Sequence, residues 1–138
     1  MQQTYQVKGG DFVNAGGASS AVKSMLKQLN VPGNLIKRVV VALYEAEVNV
    51  AAHAYEGEIL VNIESESIRI QVRDSGPGIE DIELAMKEGY STASREVREM
   101  GFGAGMGLAN IRKNSDTFNI ESVPGEGTAV EIINKLSL

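Results

Sequence analysis

The chain has no cysteine among its 138 residues, which excludes a disulfide framework, a thiolate metal site and a cysteine nucleophile, and fits a reducing cytoplasm. It has no apolar run of membrane-spanning length, and Met1 to Tyr5 lack the basic and apolar regions of a signal peptide, so a cytoplasmic protein without membrane contact is expected. It has no lysine or arginine cluster, and its net charge is −5. That balance argues against a nucleic-acid or anionic-membrane surface and leaves proteins or a metal-bound nucleotide as partners. Repeats, linkers and low-complexity tracts are also missing, so residues 1–138 are expected to form one domain, large enough to bury a core. What the chain does have is glycine, fifteen in all, and the positions of these glycines carry information.

The segment around which the rest is organised runs from Val39 to Tyr55, with Asn34 as the expected N-cap after Pro32-Gly33. Val39-Val40-Val41 has the β-branched character of a buried strand. The segment continues too far for a strand, however, and a helix apolar most of the way round belongs at the centre of a domain. On that helix Glu45, Asn49 and His53 fall at i, i+4 and i+8 and share one stripe. Glu47 points roughly 200° away from Glu45, so the two are not an acid/base pair. From this segment alone, the stripe reads equally as a solvated strip or as the polar wall of a site.

Along the chain, Thr4 to Lys8 alternates with Tyr5 and Val7 on one side, predicting an edge strand before Gly9-Gly10. Val22, Met25, Leu26 and Leu29 predict a helix over 15–29, capped by Asp11 or Asn14 and weakened in its first turn by Gly16-Gly17. Residues 58–64 and 67–73 alternate cleanly and predict an antiparallel hairpin turning near Ser65-Glu66. Asp74-Ser75-Gly76-Pro77-Gly78-Ile79 follows directly, a rigid loop that either turns the chain or lets a ligand lie against its backbone. A short helix is expected over 80–88, through Ile82, Leu84 and Met86. Residues 89–100 lack a sustained apolar face, as a mobile lid would. The run from Gly101 to Leu108, with Gly103-Ala104-Gly105-Met106-Gly107, then opens a helix ending near Asn114. Glycines at a helix N-terminus can hold phosphates through free N–H groups, or can act as a hinge. The run is neither a dinucleotide fingerprint nor a Walker loop, because no strand precedes it and no Gly-Lys-Ser/Thr follows. Residues 117–123 and 128–133, joined by Pro124-Gly125-Glu126-Gly127, predict a closing hairpin.

Taken in order, Glu45-x-x-x-Asn49, Asp74-x-Gly76-x-Gly78, a polar lid, Gly103-x-Gly105-x-Gly107 and Gly127-Thr128 resemble the nucleotide site of the GHKL ATPase superfamily, which includes gyrase, Hsp90 and histidine kinases. The run Glu-Ala-x-x-Asn-x-x-x-His-Ala-Tyr at 45–55 and Gly103-Ala104-Gly105-Met106-Gly107-Leu108 look most like the anti-sigma-factor serine kinases and the stressosome switch kinases. Each motif alone is weak, but their shared order and spacing cover nearly the whole chain. The resemblance implies an α/β (α+β) fold of the Bergerat type: a two-layer sandwich, its mixed, mostly antiparallel sheet carrying helices on one face. It also implies ATP and Mg²⁺. Asn49 then resembles the magnesium ligand and Glu45 the general base acting on a serine hydroxyl or water. Asp74 resembles the acceptor of the adenine amino group, with Gly76, Gly78 and Ile79 lying against the base. Thr128 resembles the hydroxyl supporting that contact, and Gly103, Ala104, Gly105, Met106, Gly107 and Leu108 the wrap around the phosphates. His53 matches the family either as a nucleotide contact or as a packing residue.

One departure bears on function. Where many anti-sigma kinases carry a basic residue before the last Gly-x-Gly, this chain has Gly103-Ala104, so charge on the γ-phosphate must come from Arg95, Arg98 or a partner, or be missing. Two readings follow: a Mg-ATP-dependent serine/threonine kinase acting on a small protein antagonist, or an ATP-dependent switch that binds a partner with little chemistry. A detached histidine-kinase ATPase domain is a third, disfavoured because the only histidine, His53, lies within the site helix. By resemblance the partner is a STAS-domain antagonist, a sigma factor or a phosphatase, and a homodimer is compatible with it.

Overall fold

The computed structural model describes residues 1–87 and 107–137. The expected lid, Arg95, Arg98 and the glycine-run residues Gly103, Ala104, Gly105 and Met106 lie outside them. In chain order the elements are β1 (Gln2–Lys8), α1 (Gly17–Gln28), α2 (Gly33–His53), β2 (Glu56–Ile63), β3 (Ser67–Ser75), α3 (Ile82–Ala85), α4 (Gly107–Lys113), β4 (Thr117–Val123) and β5 (Gly127–Lys135).

The strands form one sheet in the order β1-β2-β3-β5-β4. Every described pairing is antiparallel, in keeping with the mostly antiparallel sheet expected. The reason is connectivity: β2–β3 and β4–β5 are hairpins, and β1 and β5 each lie antiparallel to the strand they join. Period-two alternation aims Ile59, Val61, Ile68, Ile70, Val130 and Ile132 into a single core and leaves the intervening residues on the outer face. The helices cover that inner face. α2 lies across the sheet with Val39, Leu43, Ala46 and Val50 against it, flanked by α1 through Val22 and Leu26 and by α4 through Ile111. The result is the two-layer sandwich that the resemblance implied.

Element ends differ from expectation where local polar chemistry overrides pattern. β1 begins at Gln2 because Met1 and Gln2 continue the pairing with β2. α2 begins at Gly33, the Pro32 carbonyl accepting from Leu35 and Ile36 N–H, while Asn34 is exposed inside the first turn and caps nothing. α3 has only four residues, started by Asp81, whose carboxylate accepts from Leu84 N–H at 3.0 Å. α1 is shorter than residues 15–29, and neither Asp11 nor Asn14 caps it. Asp11 instead bonds the side chain of Asn14 at 2.8 Å. The cap of α1 comes from a distant residue. The carboxylate of Glu47, 2% exposed, accepts from Gly16 N–H at 2.9 Å, Ala18 N–H at 3.3 Å and Ser19 N–H at 2.8 Å. It also bonds the Ser19 hydroxyl. Glu47 thus points away from Glu45, as helical geometry requires, and ties α1 to α2.

Candidate functional site

The candidate site is assembled from three places: the Glu45 stripe of α2, the N-terminus of α4, and the loop after β3. Glu45, Asn49 and His53 are all half-buried on α2, so the stripe is not a freely solvated strip. Against it lies α4. A β-carbon on Gly107 would stand 2.7 Å from Asn49 Oδ1 and 3.1 Å from Nδ2, so only glycine lets the start of α4 come so close to that amide. Burial pushes the Glu45 carboxyl above its ordinary range, and a hydrogen bond from the Asn110 side chain opposes that rise. A half-buried carboxylate beside an amide oxygen, one helical turn apart, can take up a proton and bind a hard cation. Among the described residues no cluster of three histidine, cysteine, aspartate or glutamate side chains is placed to hold a metal. An amide oxygen such as that of Asn49 suits a magnesium ion whose other ligands are phosphates and waters.

The second part is at the end of β3. Asp74 is half-buried, and its Oδ1 accepts from the Thr128 N–H of β5 at 3.0 Å. Loss of water raises its pKa, and the Thr128 bond partly offsets this. Two close approaches hold the loop. A β-carbon on Gly127 would sit 2.0 Å from the Asp74 carbonyl oxygen, and Gly78 has φ +72° with the Val123 carbonyl 2.5 Å from where its β-carbon would be. Gly76 is buried against the end of α2, where a β-carbon would meet Ala54 Cα at 2.9 Å and His53 O at 3.5 Å. The loop after β3 and the polar stripe are thereby brought together.

Of the expected site residues, the structure brings Glu45, Asn49 and Gly107 together, and Asp74, Gly76, Gly78, Ile79 and Thr128. His53 ends α2 beside Gly76, and Leu108 packs at the rim of the core. Thr128 differs in detail: its backbone N–H, not its hydroxyl, reaches Asp74, and its hydroxyl pairs with Ser122 Oγ at 2.8 Å. Ser122 also accepts from Ile79 N–H at 2.7 Å. Sequence reasoning missed Ser122, since it belongs to no motif and reaches Ile79, 43 residues away. Glu47 was noticed only as pointing the wrong way. A charged residue between Ala46 and Val48, with an uncapped Gly-Gly helix start elsewhere, was its available signal.

The chain has relatives among known proteins. A family model described as the histidine kinase-like ATPase domain matches residues 12–134. An anti-sigma F factor of Caldanaerobacter subterraneus subsp. tengcongensis is 35% identical over 120 residues, covering 83% of this chain and 80% of that one. The serine/threonine-protein kinase RsbT of Bacillus subtilis is 32% identical over 103 residues, covering 72% and 71%. Among solved structures, a mycobacterial sensor histidine kinase, MprB, aligns with TM-score 0.57 over 99% of both chains at 15% identity, a likeness of fold.

Proposed function

Because this chain belongs to the histidine kinase-like ATPase domain family, we propose that it is an ATP-binding regulatory protein of the anti-sigma-factor type. In this reading residues 1–138 act as one domain in the cytoplasm, as a Mg-ATP-dependent serine/threonine kinase that phosphorylates a small STAS-type antagonist. No helix among the described residues is long and apolar enough to cross a membrane. The observation that carries the reading is the pairing of Glu45 with Asn49 on the face of α2 against which Gly107 packs.

The residues divide the work. Asp74, held through Oδ1 by Thr128, offers Oδ2 to the adenine amino group, where guanine would present a carbonyl. Asn49 would hold the magnesium ion through its amide oxygen. The bound nucleotide supplies the γ-phosphoryl group, and its magnesium offsets the charge on the phosphate oxygens. Glu45 takes the proton from the antagonist's serine hydroxyl as that oxygen bonds to the γ-phosphorus and the bond to ADP breaks. Ser122 keeps Ile79 and Thr128 in register around the base loop.

Incubation with labelled ATP, magnesium and a panel of STAS-type antagonists tests the reading. Labelled phosphoserine or phosphothreonine on one of them is the expected result. A wild-type protein that labels no antagonist, hydrolyses no ATP and yet captures a partner only with ATP present would instead establish the binding switch.

A further inference from the structure

Ser122 on β4 lies opposite Thr128 on β5, and both extend the inner face of the sheet beyond the buried Val130 and Ile132. Three polar groups meet the Ser122 hydroxyl. The Ile79 N–H donates to it at 2.7 Å, the Gly127 carbonyl oxygen stands 3.1 Å away and the Thr128 hydroxyl 2.8 Å away. A serine hydroxyl has one hydrogen and two lone pairs, and a carbonyl can only accept. One assignment uses all three contacts: Ser122 donates to Gly127 and accepts from both Ile79 and Thr128. The alternative, Ser122 donating to Thr128, would turn a lone pair of Ser122 toward the Gly127 oxygen.

We propose that Ser122 sets the purine specificity of the nucleotide site by taking up the only hydrogen of the Thr128 hydroxyl. This rests on the reading of the site as one for ATP. With that hydrogen spent, the Thr128 oxygen can only accept. Its neighbour is alike: Asp74 Oδ1 already accepts from the Thr128 N–H at 3.0 Å, and an ionised carboxylate has no hydrogen to give. This edge of the site presents acceptors and no side-chain donor, which suits the 6-amino group of adenine and leaves a 6-carbonyl unpaired. Without Ser122, the Thr128 hydroxyl is free to turn its hydrogen outward and serve a carbonyl. The seat of the loop itself does not depend on Ser122. Gly76 N–H donates to the Glu126 carbonyl at 3.1 Å and Gly125 N–H to the Pro77 carbonyl at 2.8 Å, which stitches the loop after β3 to the β4–β5 turn.

The test is calorimetric titration of the full chain with Mg-ATP and with magnesium inosine triphosphate, which has a carbonyl in place of the 6-amino group. It compares wild type with Ser122→Val and Ser122→Thr. Valine and threonine share one shape, so the pair isolates the hydroxyl. Wild type is expected to favour ATP by about 10²-fold or more. Ser122→Val should narrow that preference about fivefold or more, the worth of one hydrogen bond from the freed Thr128 hydroxyl, and Ser122→Thr should keep it. A merely structural loss would weaken both nucleotides alike and leave their ratio unmoved. In the Thr128→Val background, which has no hydroxyl to direct, Ser122→Val should not change the ratio. Ser122→Cys, whose thiol is a weak hydrogen-bonding partner, carries the same expectation if Ser122→Val does not fold. A wild type indifferent to the 6-position, a ratio unchanged in Ser122→Val or Ser122→Cys, or one narrowed equally in Ser122→Thr or in the Thr128→Val background overturns the inference and leaves the ATP reading standing. A wild type that binds neither nucleotide, or prefers inosine triphosphate, removes both.

Discussion

Gly107 and Asn49 are in contact through the absence of a side chain: a β-carbon at position 107 would lie 2.7 Å from the Asn49 amide oxygen. The obstructing atom is the end of a movable side chain, so Gly107→Ala can be accommodated by turning Asn49 aside. Alanine is also the better helix former, by about 1 kcal/mol. Stability and function should therefore separate. We expect a melting temperature equal to or above wild type, together with a loss of about tenfold or more in the magnesium-dependent part of ATP affinity. Calorimetric titration with and without magnesium, beside a melting curve, checks both.

Glu45 and Asn49 should fail differently. Glu45→Ala is expected to keep ATP affinity within a few fold and to lower phosphoryl transfer by roughly 10²-fold or more. Asn49→Ala should lose magnesium-dependent binding and transfer together. Burial places the Glu45 pKa above its ordinary 4.5, and a base must be ionised. Transfer should consequently fall as pH drops through that raised value, with an acid limb above 4.5 that is missing from Glu45→Ala. Stability has the opposite sign: the contribution of Glu45 is fully present below its unfolded pKa and is lost as pH rises through the folded one.

Asp74 offers a second trade between binding and stability. Its carboxyl is raised above 3.8 by burial, so ionisation at neutral pH disfavours the nucleotide-free fold. Asp74→Asn should raise the melting temperature of the free protein at pH 7, with the gain vanishing as pH falls below the unfolded carboxyl's range. The same variant should weaken ATP binding, since an amide is a poorer and ambiguous acceptor. Ligand at a hundred times its dissociation constant adds about 2.7 kcal/mol to wild type. Thermal scans at millimolar Mg-ATP should accordingly show a clear upward shift for wild type and a smaller one for the variant.

Glu47 should behave as a structural residue. Glu47→Ala strips the partner from three backbone N–H groups and the Ser19 hydroxyl at the start of α1. A loss of about 3 kcal/mol or more in unfolding free energy is expected, because buried donors left unpaired carry their full desolvation cost. Denaturant titration measures it. Folded Glu47→Ala at low temperature should still bind Mg-ATP, in contrast to Asn49→Ala.

Much of this protein is determined by its sequence directly. The alternation in residues 59–63 and 68–72, and the long apolar segment around Leu43, set strands and helix because side-chain period follows backbone geometry. The stripe of Glu45, Asn49 and His53 follows from the same geometry, and the order of the glycine motifs sufficed to place the family. Tertiary structure alone decided which polar groups meet. Glu47 and Ser19 are 28 residues apart, and Asp74 and Thr128 are 54 apart. No local rule joins such pairs. The cap of α1, the backbone grip on Asp74 and the service of Ser122 arise only when the core closes. A buried donor must then find whatever acceptor the packing has carried to it, however far away along the chain.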